Sequence, residues 1–200
     1  GHGRSQRVPG PYSPRLFAED ALAVCRHLGV DHAYVVGLSM GGMVAQELAL
    51  AAPDFVDALV LCDTSTHMGV RAQGFEALAG LLGDEDRGWA RRTLAERPEV
   101  ARNNRRESSS NDPDCWAWAV GALVEHDTRG KLADLGIPAL VVWGAEDGSV
   151  PVDLARPLAE ELGGAPVVVL EDAGHVCNLE QPEAFNRTIT EFFAQHPPRG

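Results

Sequence analysis

A serine flanked by glycines is the residue of this chain best suited to chemistry. Ser39 stands in "VVGLSMGGMVAQ", residues 35–46, after an apolar run and before a segment with helical patterning. A serine hydroxyl is a weak nucleophile at neutral pH, so it needs a base within hydrogen-bond reach and a third group to hold that base. The G-x-S-x-G pattern is typical of a sharp strand-to-helix turn that exposes the hydroxyl. The alternative is that Ser39 is only a small residue in a tight loop.

A base and an acid for this serine follow later in the chain. Asp147 comes just after the apolar run "LVVWG", and His175 lies in the loop after the next apolar run. Because parallel sheets build their ligand sites at the carboxyl ends of the strands, these side chains can converge on Ser39. A serine, a histidine base and an orienting carboxylate together support attack on a carbonyl group. Asp63 also ends an apolar run and is the alternative acid.

A turn at Ser39 makes demands on its neighbours. Small residues are expected where the backbone is crowded, and Gly37, Gly41 and Gly42 supply them. The N–H of Met40, the residue after the serine, would point at the oxygen on which negative charge develops during the reaction. The sequence thus predicts one donor of an oxyanion hole.

The elements that must position these residues alternate as in an α/β protein. Buried strands are predicted at four apolar runs, "HAYVVG", "DALVLCD", "PALVVWG" and "APVVVLE". Helices are predicted from the Ser13–Pro14 cap to Gly29, over "MGGMVAQELALAA" before Pro53, and over "PEAFNRTITEFFAQH". Since strand, helix and strand in this order imply right-handed parallel crossovers, the predicted fold class is a layered α/β sheet.

Residues 64–134 have a different character. They contain no strand-like run, and helical patterns occur in "GFEALAGLL", "DRGWARRTLAE" and "DCWAWAVGALVEH". We interpret them as a helical cap inserted between the two parts of a core, residues 1–63 and 135–200. The basic run "RNNRR", Arg102 to Arg106, is predicted to be a solvated loop. Even so, the arginines of the cap are candidates to meet a substrate carboxylate: Arg71, Arg102, Arg105 and Arg106.

The composition of the chain argues against several classes of function. A chain of 200 residues with 44% apolar content predicts one globular domain, and a formal charge of −12 argues against nucleic acid as a partner. No apolar run is long enough to span a bilayer. The four cysteines are far apart, which favours reduced thiols in the cytoplasm over disulfides or a zinc site. No metal or nucleotide motif occurs, so no cofactor is expected.

Taken together, several stretches resemble the α/β-hydrolase superfamily over nearly the whole chain. They are "GHGRS", "GLSMGGMVAQELA", "LVLCDT", "LVVWGAEDGSVP" and "AGHVCNLEQPEAF". The second and fifth are most similar to the 3-oxoadipate enol-lactonase-like group, which opens a lactone without a cofactor. The resemblance implies the α/β-hydrolase fold, with Ser39 as nucleophile, His175 as base and Asp147 as acid.

The implied activity is cofactor-independent hydrolysis of a small ester or lactone. Leu38, Trp116 and Arg102 are the candidate substrate contacts. Two alternatives remain open: a carbon–carbon bond hydrolase of the same fold, and a receptor-like binding protein that keeps the three residues without turnover. Labelling of Ser39 by a fluorophosphonate would separate the enzymes from the binding protein.

The position of "GHGRS" carries a further expectation. In the resembled family this stretch follows the early strands of the sheet, and the loop with the second oxyanion donor lies upstream of it. The resemblance therefore predicts a chain truncated at its N-terminus that lacks these early strands, and slow or absent turnover by these 200 residues alone. It also predicts an unpaired edge on the strand "AYVVG", which favours aggregation or a homo-oligomer.

Overall fold

A computed structural model describes residues 1–68, 86, 88–108 and 110–199 of the chain. The strands are β1 (Ala33–Leu38), β2 (Val56–Cys62), β3 (Ala139–Gly144) and β4 (Val167–Leu170). The helices are α1 (Pro14–His27), α2 (Met40–Ala51), α3 (Arg91–Glu96), α4 (Pro98–Ser108), α5 (Pro113–Glu125), α6 (Ala155–Glu161), α7 (Cys177–Glu180) and α8 (Pro182–Gln195). The four predicted strands and the three predicted helices of the core are confirmed.

The strands form one parallel sheet in the order β1-β2-β3-β4. Its register aligns the carboxyl ends, because Leu38 pairs with Cys62 and Cys62 pairs with Val142. The loops that leave β1, β2, β3 and β4 at this edge carry the polar residues singled out in the sequence. The alignment of strand ends is therefore what brings distant parts of the chain together.

Helices cover both faces of the sheet. Side chains alternate between the faces of a strand, so Leu59, Leu61 and Trp143 pack with α1, α2 and α6 on one side. On the other side, Val60 and Cys62 pack with the aromatic residues of α8. Every residue of β2 and β3 is buried, which explains why both strands are mostly apolar; Asp57 is the one charged residue within them.

The described residues between 64 and 134 contain α3, α4 and α5, together with a single isolated bridge between His67 and Asp127. The predicted helix at "GFEALAGLL" lies outside the described residues. The prediction of a loop at Arg102–Arg106 is wrong, since these residues belong to α4. This helix buries only Ala101 among its residues, so it lacks the apolar stripe by which a helix is usually found. The division into core and cap stays a prediction.

The sheet has two outer strands, β1 and β4, and neither has a second partner strand among the described residues. Within the described ranges no strand pairs with the outer side of β1, and Val36 is 43% exposed there. This agrees with the edge predicted for "AYVVG". Among the described residues, no helix has the length and apolar content that a membrane span requires.

Candidate active site

Ser39 lies at the tight turn between β1 and α2. Its backbone has φ 55° and ψ −122°, a region that non-glycine residues rarely occupy. The surrounding contacts hold it there: the Ser39 N–H donates to the carbonyl of Cys62 at 2.9 Å, and the Thr64 hydroxyl donates to the carbonyl of Ser39 at 2.8 Å. A strained backbone that its neighbours fix from both sides is a common feature of functional sites.

The glycines around the turn differ in what they must accommodate. A Cβ at Gly37 would lie 2.3 Å from the carbonyl oxygen of Gly41, and one at Gly42 would lie 2.5 Å from Cγ2 of Thr64. The predicted crowding is therefore confirmed at Gly37 and Gly42. At Gly41 it is wrong, because Gly41 is exposed and a Cβ there would meet nothing within 4 Å.

A continuous chain of hydrogen bonds runs from Ser39 through His175 to Asp147. The His175 ring joins Ser39 Oγ through Nε2 and Asp147 Oδ2 through Nδ1, both at 2.8 Å. An ionised carboxylate only accepts hydrogen bonds, so Nδ1 carries the ring hydrogen and Nε2 is free to accept from the serine hydroxyl. This arrangement can take the proton of Ser39 when its oxygen attacks.

The backbone beyond β3 fixes Asp147. Its Oδ1 accepts hydrogen bonds from the N–H groups of Ser149 at 2.7 Å and Val150 at 2.9 Å, and its side chain is fully buried. With Oδ1 held by the turn, Oδ2 is aimed at the imidazole. The carboxylate therefore holds one orientation of the His175 ring.

The environment of His175 favours its protonated form. Burial alone lowers the pKa of the imidazole, but the hydrogen bond and charge of Asp147 and the charges of Asp63 and Glu180 outweigh it. The net effect raises the pKa of His175 above its ordinary value. An imidazolium formed after proton transfer from the serine is thus stabilised.

Asp63, the alternative acid, occupies a different place. It follows β2, is fully buried, and accepts a hydrogen bond from the N–H of Gly144 through Oδ1 at 2.8 Å. Burial raises its pKa to about 7, although the Cys177 thiol and the Gly144 N–H oppose the shift. Both ring nitrogens of His175 are already engaged by Ser39 and Asp147. The structure therefore brings Asp147 to the histidine.

A cavity of about 50 Å³ opens beside Ser39 and His175. Its wall is largely apolar and is formed by Met40, Met43, Met68, Leu123 and Val150, with Asp63, Thr64, Ser65 and Ser149 as polar members. Leu123 comes from α5, so the predicted cap contributes to the wall. Met40 is the first residue of α2, where a backbone N–H has no acceptor within the helix. Its predicted role as an oxyanion donor fits this position.

The three candidate substrate contacts lie elsewhere. Leu38 packs at the end of β1 against the core layer of α8, and Arg102 is exposed on α4. Trp116 is 39% exposed on α5, with its ring 6.0 Å from that of His2. Among the described residues none of the three lines the cavity beside Ser39, and their roles stay predictions. Arg71 lies outside the described residues.

Sequence reasoning missed part of this wall and one buried acid. Met43 follows Met40 by one helical turn, and that spacing is a signal that could have placed it beside the serine. Glu180 is fully buried although glutamate is usually solvated, and nothing in its local sequence marks the difference.

Comparisons with known proteins show which family and fold the chain shares. A family model described as "alpha/beta hydrolase fold" matches residues 1–182. The chain is 31% identical over 199 residues to 3-oxoadipate enol-lactonase 2 of Acinetobacter baylyi, covering 94% of this chain and 74% of that protein. A thermophilic esterase from Thermogutta terrifontis superposes with a TM-score of 0.88 at 30% identity, covering 98% of this chain and 78% of the esterase. For the enol-lactonase of Burkholderia xenovorans the TM-score is 0.85 at 29% identity, with 96% and 77% covered.

Proposed function

This chain is a hydrolase of the α/β-hydrolase fold family, and we propose that it cleaves a small ester or lactone with Ser39 as its nucleophile. The observation that carries the proposal is the unbroken hydrogen-bonded chain from Ser39 through His175 to Asp147. Acyl transfer also needs an accessible hydroxyl and room for the carbonyl group of the substrate. The tight turn at Ser39 supplies the first, and the cavity beside Ser39 supplies the second.

The first half of the reaction forms an acyl-enzyme. Nε2 of His175 takes the hydroxyl proton as Ser39 Oγ attacks the carbonyl carbon, and Asp147 stabilises the imidazolium that results. The Met40 N–H is the donor we assign to the oxyanion. When the tetrahedral intermediate collapses, the leaving oxygen takes the proton from His175.

The second half releases the acid. His175 removes a proton from water, and the hydroxide attacks the acyl carbon to form a second tetrahedral intermediate. Its collapse breaks the bond to Oγ, and the serine recovers its proton from the imidazolium. With a lactone, the leaving oxygen of the first half stays attached to the acyl group, so one hydroxy acid is the only product.

Two observations support the substrate class. The similar proteins include proteins named as enol-lactonases and as an esterase, and lactones and esters both contain an acyl–oxygen bond. The cavity beside Ser39, about 50 Å³ with a mostly apolar wall, suits a short uncharged acyl group. We therefore assign a short-chain ester or lactone as the substrate class.

Hydrolysis of p-nitrophenyl acetate tests the nucleophile. Ser39→Ala should reduce turnover to the background rate and abolish labelling by a fluorophosphonate. Ser5→Ala, at an exposed serine that does not line the described wall of the cavity, is the matched control and should behave as the parent. Activity that survives Ser39→Ala would remove Ser39 from the mechanism, and a folded parent protein that takes no label would favour the non-catalytic alternative.

A pair of isosteric variants tests the acid. Asp147→Asn should lower kcat about 10³- to 10⁴-fold, because the histidine loses the carboxylate that orients it. Asp63→Asn should lower kcat by less than about tenfold, because Asp147 still holds the ring. The opposite order of effects would assign the acid to Asp63.

A further inference from the structure

The carboxylate of Glu180 is buried at a joint between two loops. Glu180 ends α7 and has no exposed surface. Its Oε1 accepts a hydrogen bond from the N–H of Gly174 at 2.8 Å, and its Oε2 accepts one from the N–H of Ala90 at 2.9 Å. Because both oxygens accept, the geometry suits an ionised carboxylate. Burying such a group costs free energy that only specific partners offset, which calls for an explanation.

The two partners belong to different parts of the molecule. Gly174 directly precedes His175, whereas Ala90 directly precedes α3 in the predicted cap. Two further contacts join the same segments: the His175 N–H donates to the carbonyl of Gly88 at 2.6 Å, and the Arg97 guanidinium donates to the carbonyl of Glu180. Residues 88–97 and 174–180 thus form one hydrogen-bonded joint.

The joint leaves no space for adjustment. A Cβ at Gly174 would lie 2.5 Å from the carbonyl oxygen of Gly88 and 2.9 Å from Oε1 of Glu180. Backbone atoms of the cap therefore touch the residue before His175. A shift of either segment must move the other, and with it the imidazole.

We propose that Glu180 is a positioning residue for His175: its buried carboxylate ties the loop that carries the imidazole to the cap segment before α3 and so keeps Nε2 aimed at Ser39. The proposal rests on the proposed function, because the position of His175 matters for turnover only if it is the base. Glu180 does not line the cavity, so it acts through His175 and not on the substrate.

The same carboxylate acts on the charge of the imidazole. Three acids interact with the His175 ring: Asp147 from the turn after β3, Asp63 from the end of β2, and Glu180 from α7. Each favours the imidazolium. Loss of the charge at Glu180 should therefore lower the pKa of His175, and a neutral imidazole should persist to lower pH.

Glu180→Gln tests both effects. The glutamine nitrogen cannot accept a hydrogen bond, so either Ala90 or Gly174 loses its acceptor while the volume of the side chain is unchanged. Glu183→Gln is the matched control, since Glu183 is exposed in the first turn of α8. Two readouts are compared with the parent protein: the pH titration of the His175 imidazole by NMR, and the pH profile of p-nitrophenyl acetate hydrolysis.

For Glu180→Gln we expect a lower pKa of His175 and an acid limb of kcat/KM displaced to lower pH. We also expect kcat to fall about tenfold to hundredfold with KM nearly unchanged, as for a misplaced base. Glu183→Gln should match the parent in all of these. An imidazole titration and a kcat that are the same in the parent and in Glu180→Gln would overturn the proposal.

Two further measurements separate a failure of the proposed function from a failure of the role proposed for Glu180. If the folded parent protein does not hydrolyse the ester, the proposed function fails, whereas the NMR titration still decides whether Glu180 acts on His175. If Glu180→Gln does not unfold cooperatively, Glu180→Asp takes its place: it keeps the negative charge, but the shorter side chain cannot reach the N–H groups of both Ala90 and Gly174. A fall in kcat in Glu180→Asp supports the proposal, and parental kcat overturns it.

Discussion

At the scale of single residues, Asp63 shows what burial does to a carboxyl group. It is fully buried, and its pKa is raised from 3.8 to about 7. Because the folded state holds the proton more tightly than the unfolded state, the stability that this group contributes is fully present below about pH 4. It is lost as the pH rises through 7. Asp63 therefore makes the protein less stable under mildly alkaline conditions.

Asp63→Asn should remove this pH dependence. Asparagine is neutral and tolerates the left-handed backbone at this position, where φ is 46°. Denaturant unfolding at pH 5 and pH 8 should show that the gain over the parent protein is larger at pH 8, by about 2 kcal/mol. Asp172→Asn is the control, since Asp172 has φ 55° but a partly exposed carboxylate. An equal gain at both pH values would contradict the assignment.

At the scale of elements, the packing of α2 against β1 depends on one glycine. Gly37→Ala places a methyl group 2.3 Å from the Gly41 carbonyl, so the first turn of α2 must move away from the strand. We expect a loss of about 2 kcal/mol or more, with lower activity because Ser39 moves too. Gly41→Ala meets open space and should change stability by less than about 1 kcal/mol. Calorimetry of the two variants checks this, and equal melting temperatures would show that the contact does not govern packing.

How well the sequence predicts an element depends on how much of that element is buried. β2 and β3 are covered on both faces, so burial itself produces their apolar runs, and Ser13 caps α1 with a hydrogen bond that can be anticipated. α4 is almost entirely polar, and its residues contain little that distinguishes a helix from a loop. The positions of Ser39, Asp147 and His175 after predicted parallel strands are what predict that the three side chains meet. The Ala90–Glu180 contact joins residues 90 positions apart, and no local pattern encodes it.

At the scale of the whole molecule, the outer edge of β1 predicts self-association. Its backbone groups have no partner strand in the described ranges, and Val36 presents an exposed apolar side chain beside them. Light scattering of the 200-residue polypeptide should show an average mass that rises with concentration. Val36→Lys should lower the average mass towards that of the monomer, because a charged side chain on an outer strand opposes pairing with another strand. A monodisperse monomer at all concentrations would contradict this expectation.

The hydrogen bond between His175 and Ser39 also depends on the order in which parts of the chain fold. It joins residues 136 positions apart, and the base follows β4, the last strand of the sheet. Contacts between such distant segments form late in folding, because a long loop must close before they are gained. Under the proposed function, a growing or partly folded chain therefore carries an inert serine. The nucleophile we propose becomes reactive only when the final strand has docked, so the reactivity of a single hydroxyl would mark the completion of folding.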